Sequence, residues 1–129
     1  MAEEKPLVLL IDDNASLREI LGVALKDMGC DVHEAPSAVD ARKWLTENIP
    51  SLILVDIMMP DLNGLEFCRW VRGLARFTAV PIVVMSALKD EETVLDAMEL
   101  GAVDFMRKPF PAKALKDKIG AVLAKRENN

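Results

Sequence analysis

At 129 residues the chain has the size of one domain, large enough to bury a core without disulfides or a structural metal, and residues 1–129 read as a single unit. A composition of 51% hydrophobic and 29% charged residues excludes a disordered chain, and no apolar run approaches the ~20 residues of a membrane-spanning helix. A net charge of −5 and a pI near 4.9 leave no basic footprint for a nucleic-acid backbone, so neither direct nucleic-acid binding nor membrane association is expected.

The acidic start MAEEKP and the short apolar run after it argue against a secretory signal peptide and for a cytoplasmic location. Leu7 to Ile11 is a continuous apolar run of strand length, suited to burial on both faces, and it ends in Asp12 and Asp13. A helix follows: Leu17, Ile20, Leu21, Ala24, Leu25 and Met28 recur at helical spacing. Asn14 or Ser16 can cap its start, Ser16 with Glu19 fits a capping box, and Gly29 can end it. Asp31 to Ala35 reads as a weaker strand. Ser37 can cap a second helix with apolar positions Ala38, Ala41, Leu45 and Ile49, and Pro50 marks its end.

The pattern then repeats. Ser51 to Asp56 is a strand, the stretch from Met59 to Gly64 is dense in turn formers, and Leu65, Cys68, Val71 and Leu74 share a helical face. Pro81 to Ser86 is the fourth strand. Asp90 can cap a helix carrying Val94, Ala97 and Met98, closed by Gly101 before the short fifth strand from Val103 to Met106. After Pro111 the last helix presents Leu115, Ile119, Val122 and Leu123, and the polar end from Lys125 to Asn129 is expected to fray.

Five strands alternating with five helices predict an α/β, doubly wound, parallel sheet covered on both faces. In the flavodoxin-like strand order 2-1-3-4-5, the topological switch lies between the first and third strands. Asp12, Asp13 and Asp56 then meet in the crevice beyond the strand ends, joined by Ser86 and Lys108 from the fourth and fifth strands.

Each acid alone reads as an ordinary loop or cap residue. Three carboxylates in one crevice must instead take up protons or be neutralised by a cation, and a hard divalent ion is the natural solution. Magnesium takes oxygen ligands and keeps several waters, which suits a few acids in an open site, and no cluster of His or Cys offers zinc or copper an alternative. Lys108 can pair with a phosphoryl oxygen and Ser86 can hydrogen-bond another; Lys108 can equally form a salt bridge to Asp12 or Asp56. Cys30 and Cys68 are isolated and read as buried, reduced thiols. His33, the only histidine, reads as a half-exposed strand residue, and Trp44 and Trp70 as packing residues.

The motifs LLIDDN (Leu9 to Asn14), LVDIMMPDLNG (Leu54 to Gly64), PIVVMSA (Pro81 to Ala87) and GAVDFMRKPF (Gly101 to Phe110), in this order and spacing, make the chain resemble the receiver domain of bacterial two-component response regulators. The resemblance covers nearly the whole chain. It implies that Asp56 is the phosphoacceptor and that Asp12, Asp13, Asp56 and the backbone carbonyl of Met58 hold Mg2+. It implies that Lys108 pairs with the acyl phosphate, and that the Lys108–Pro109 bond is cis where trans is the ordinary expectation. The donor would be a phosphohistidine on a histidine kinase or histidine phosphotransfer protein. Such a domain is not an enzyme with a separate substrate; it promotes its own phosphorylation and dephosphorylation.

By the same resemblance Ser86 swings toward the phosphoryl group and Phe105 moves as the switch aromatic, with threonine and tyrosine being common at these positions in the family. Read from the residues alone, Phe105 is an ordinary core aromatic. Met58 and Met59 follow the phosphoacceptor and are placed to shield it from water. The usual partner surface is the face of the fourth helix, fifth strand and fifth helix, here carrying Glu99, Asp104, Arg107, Lys116 and Lys118. Ala114 stands where receivers of winged-helix transcription factors commonly carry a glutamate, which argues against their dimer mode. The chain reads as a stand-alone receiver or as the N-terminal receiver of a longer regulator.

Other uses of the fold fit less well. An aspartate-nucleophile phosphatase needs a second acid two residues after Asp56, where Met58 stands. A flavin-binding electron carrier needs a Ser/Thr/Gly-rich phosphate loop where Asp12 and Asp13 stand. A receiver that is never phosphorylated would not need every chemical position filled.

Overall fold

The computed structural model describes residues 5–61, 63–87 and 91–127, with residues 126 and 127 described by their backbone alone. The apolar runs form strands β1 (Leu7–Ile11), β2 (Asp31–Ala35), β3 (Leu52–Asp56), β4 (Ile82–Ser86) and β5 (Asp104–Arg107). All pairings are parallel and the order is β2-β1-β3-β4-β5. β3 and β4 are buried at every residue, which is why they read as unbroken apolar runs rather than as alternating ones.

The helices are α1 (Ala15–Asp27), α2 (Ala38–Leu45), α3 (Gly64–Arg72), α4 (Glu91–Glu99) and α5 (Ala112–Glu127). Successive strand residues point to opposite faces and so build two cores. Val8, Leu10, Leu52, Leu54, Val83 and Met85 pack with α1 and α5. Leu9, Ile11, Ile53, Val55, Ile82 and Val84 pack with α2, α3 and α4. Among the described residues no helix is long and apolar enough to cross a membrane.

Local chemistry sets the helix ends. Asn14, not Ser16, caps α1: its side chain accepts from Leu17 N at 3.0 Å, and Ser16 lies inside the first turn. Ser37 caps α2 by accepting from Asp40 N at 3.1 Å. Gly29 and Gly101 follow α1 and α4 at φ of 95° and 101°, a left-handed conformation that favours glycine. Asp90, expected to cap α4, lies outside the described residues.

Several boundaries differ from the sequence pattern. α2 stops at Leu45 rather than near Pro50, because Thr46 Oγ1 and Asn48 Nδ2 donate to the carbonyls of Lys43 and Trp44, at 2.7 and 2.9 Å. These bonds take acceptors that a continuing helix would use, and Ile49 is left exposed. Met98 on α4 is exposed as well, so Ala97 is that helix's buried contact. α3 ends before Leu74, and Phe67 is fully buried within it. α5 continues to Glu127, past the point at which fraying was expected.

A single 3-10 turn, Ala75–Phe77, connects α3 to β4 and buries Phe77 completely. Arg72 ties this connection together by donating to the carbonyls of Gly101 (3.2 Å), Phe77 (2.9 Å) and Val80 (2.6 Å). On the other edge, His33 is half-buried and its ring stacks on Trp44 with centroids 4.5 Å apart. Cys30 and Cys68 are buried free thiols.

Candidate functional site

Register brings the acids together. Ile11 at the end of β1 pairs with Val55, so the next residues, Asp12 and Asp56, emerge side by side. Asp12 is fully buried, Asp56 is buried and Asp13 is exposed; one carboxylate oxygen from each lies within 4.8 Å of the other two. At an effective dielectric near 20, two unit charges at 4.8 Å repel by about 3.5 kcal/mol. A cation has to offset that.

Lys108 supplies part of the offset. The residue follows directly on β5, and its backbone N–H donates to the Ser86 carbonyl at 2.8 Å, which carries the side chain over the strand ends. Its Nζ lies 2.7 Å from Asp12 Oδ2 and 3.1 Å from Asp56 Oδ2. The Lys108–Pro109 peptide is cis. Burial pulls the Lys108 pKa down, but the hydrogen bond to Asp12 and the charges of Asp56 and Asp12 outweigh it, so the ammonium titrates above its ordinary value.

The carboxylates are held by backbone donors. Asn14 N donates to Asp12 Oδ1 at 2.9 Å and Met58 N to Asp56 Oδ1 at 3.1 Å. Burial raises the Asp56 pKa above the usual carboxylate range; Lys108 and the Met58 N–H pull it back without cancelling the shift, and Asp12 pushes it further up. An opposing cation at this site therefore favours the charged form of Asp56.

Ser86 closes β4, the neighbour of β3, with its side chain fully buried. Phe105 pairs with Val84 inside β5 and is half-buried against the core on the α2–α4 side. It packs in that core rather than joining the carboxylates. Of the two methionines after Asp56, Met58 is exposed and Met59 is buried in the same core as Phe105.

Three further residues shape the site without having been singled out from the sequence. Arg18 on α1 donates to the Asp12 carbonyl at 2.6 Å and to Glu34 Oε1 at 3.3 Å, linking β2 to the loop that carries Asp12 and Asp13. Gly64 N donates to the Ile57 carbonyl at 2.7 Å and closes the loop after Asp56; a Cβ at this position would lie 2.6 Å from the Asp56 carbonyl oxygen. Asp61 accepts from the first turn of α2. These links join positions distant in sequence or depend on close backbone approach, so residue type gives no signal for them; the turn-forming run around Gly64 is the exception.

The donor set fits a hard divalent cation: three carboxylates in reach of one another, oxygen atoms only, at an edge where Asp13 is open to solvent. An ammonium already bridges two of the three. Such an arrangement can bind a metal ion and a phosphoryl group on a carboxylate nucleophile.

The sequence matches the response regulator receiver domain over residues 8–120. It is 37% identical over 116 residues to the transcriptional regulatory protein GltR of Pseudomonas aeruginosa, covering 90% of this chain and 48% of GltR. It is 35% identical over 121 residues to the DNA-binding response regulator MtrA of Mycobacterium leprae, covering 94% of this chain and 52% of MtrA. The chain thus spans about half the length of the curated relatives it matches. The fold is similar to the chemotaxis response regulator CheY4 of Vibrio cholerae, with a TM-score of 0.88, 26% identity, and coverage of 92% of this chain and 99% of that one. The crevice of carboxylates at the ends of β1 and β3, the lysine after β5 and the match over nearly the whole chain agree: the chain belongs to the response regulator receiver domain family.

Proposed function

We propose that Asp56 is the phosphoacceptor of this receiver and that residues 1–129 act as one receiver unit. The observation that carries the reading is the Lys108 ammonium set between Asp12 and Asp56, in a crevice where a third carboxylate lies within 4.8 Å. A carboxylate oxygen of Asp56 attacks the phosphorus of a phosphohistidine on a histidine kinase or histidine phosphotransfer protein. The P–N bond breaks, its electron pair stays on the imidazole nitrogen, and that nitrogen takes up a proton. The product is a mixed acyl phosphate.

The chain's own contribution is positioning and charge neutralisation, which phosphoryl transfer chiefly requires. Lys108 pairs with a phosphoryl oxygen by turning its ammonium from the carboxylates toward the transferred group. Ser86 donates its hydroxyl to another oxygen, and Phe105 changes its packing in response, which makes β4 and β5 a two-state element biased by new charge. Asp12, Asp13, Asp56 and the Met58 carbonyl would hold Mg2+, which when bound supplies positive charge to the phosphoryl oxygens. The same groups promote attack by water on the acyl phosphate, so the domain limits the life of its own signal.

The free thiols of Cys30 and Cys68 support work in the reducing cytoplasm beside the kinase. Phosphorylation would be read by a downstream protein on the face of α4, β5 and α5. GltR is named as a transcriptional regulatory protein and MtrA as a DNA-binding response regulator, and each is about twice as long as this chain, which supports an output through a longer regulator; the net charge of −5 supports a receiver that does not itself bind a nucleic-acid backbone. Incubation with Mg2+ and acetyl phosphate tests the reading. Wild type gains the mass of one phosphate and Asp56→Asn gains none; an equal gain by both proteins rejects Asp56 as the acceptor.

A further inference from the structure

The loop after the proposed phosphoacceptor is held to α2 by one side chain. Asp61 Oδ2 accepts from Val39 N at 3.0 Å and Oδ1 lies 3.4 Å from Ala38 N, across more than twenty residues of sequence. The first three N–H groups of α2 are therefore divided: Ser37, the local cap, takes Asp40, and Asp61 takes the two before it. The helix that receives Asp61 is firmly seated, since its Ala38, Ala41 and Leu45 are fully buried. A negative charge at this end is also favoured by the helix dipole.

Among its described residues the loop has few other ties. Its base is closed by Gly64 N on the Ile57 carbonyl, and Met59 anchors one point in the core, while Met58 is exposed. Met58 is the residue whose N–H meets Asp56 Oδ1 and whose carbonyl, in the reading above, completes the metal site. We propose that Asp61 is a positioning residue for that site: by fastening the loop to α2 it presets the Met58 carbonyl, so that metal binding does not have to order the loop. The proposal rests on the phosphoacceptor reading and its Mg2+ site.

The test compares Asp61→Ala with Ser37→Ala, which uncaps the same helix without touching the loop. Calorimetric titration with Mg2+ is expected to give affinity weakened at least threefold in Asp61→Ala and unchanged in Ser37→Ala. Both variants are expected to melt at lower temperature. Asp61→Asn keeps a side-chain oxygen acceptor and is expected to bind within about twofold of wild type. The rate with acetyl phosphate should fall in Asp61→Ala at limiting Mg2+ and recover at saturating Mg2+, and the Met58 amide resonance should shift in that variant alone. Unchanged Mg2+ affinity in Asp61→Ala, or an equal loss in Ser37→Ala, overturns the proposal while leaving the phosphoacceptor reading standing. Wild type that binds no Mg2+ and gains no phosphate overturns both.

Discussion

Lys108 Nζ lies closer to Asp12, at 2.7 Å, than to Asp56, at 3.1 Å. The lysine therefore serves first as the counterion of the fully buried carboxylate, and only second as a neighbour of the proposed phosphoacceptor. A metal ion entering the crevice competes with it for the same oxygens.

Removing the competitor has a definite sign. Lys108→Ala leaves Asp12, Asp13 and Asp56 with only a metal ion to offset their repulsion, so Mg2+ affinity is expected to rise several-fold by calorimetry. The same variant loses the ammonium that pairs with the phosphoryl group, so phosphorylation at saturating Mg2+ is expected to slow. Weaker Mg2+ binding in Lys108→Ala would contradict the competition.

Gly64 is a steric requirement of the site. An added Cβ would stand 2.5 Å from Ile57 Cα and 2.6 Å from the Asp56 carbonyl oxygen, both backbone atoms that cannot turn aside as a flexible side chain would. Gly64→Ala is expected to destabilise the fold by about 1–3 kcal/mol in urea unfolding, the usual range for overpacking, and to weaken Mg2+ binding because the strained backbone is that of Asp56 itself. Wild-type stability and affinity in this variant would show that the loop yields freely.

Arg72 offers the opposite control, far from the crevice. Its guanidinium satisfies the carbonyls of Gly101, Phe77 and Val80, and Arg72→Leu removes all three bonds. A loss of about 1–3 kcal/mol is expected, with the phosphorylation rate at saturating Mg2+ unchanged at a temperature where the variant is folded. A slowed rate there would link this end of the fold to the chemistry.

Burial pushes the Cys68 thiol up to about 11 from an ordinary value of 9.0, against a smaller lowering by Arg72. Below pH 9 both folded and unfolded chains keep the proton, and the contribution to stability is fully present. Between pH 9 and 11 the unfolded chain loses the proton first, so stability falls as pH rises. The expected loss between pH 8 and 10.5 is about 2 kcal/mol, and no tyrosine titrates in this window because the chain has none. Urea unfolding of Cys68→Ala should show a correspondingly shallower decline; equal slopes would remove the assignment.

The strands were legible because β1, β3 and β4 are apolar at successive positions and stop at a polar residue, whereas their order rested on the flavodoxin-like case of the doubly wound class, which the structure has. The convergence of Asp12, Asp13, Asp56, Ser86 and Lys108 followed from that topology, whereas the switch movements of Ser86 and Phe105 and the Met58 carbonyl came only from family resemblance. The end of α2 was misread because Pro50 is a visible helix breaker, whereas the terminating bonds from Thr46 and Asn48 depend on side-chain rotamers. The 3-10 turn carrying Phe77 is too short to show a period. Arg18 and Asp61 act on backbone groups of other elements, and nothing in a one-dimensional pattern distinguishes them from solvated charges.

The most direct test of the central claim locates the phosphoryl group chemically. An acyl phosphate is reduced by borohydride to the alcohol, which converts an aspartyl phosphate to homoserine. After phosphorylation with acetyl phosphate and Mg2+, reduction and peptide mass mapping, the account predicts homoserine at position 56 and at no other aspartate. Homoserine at Asp12 or Asp13, or phosphate that survives reduction on a hydroxyl side chain, would contradict it.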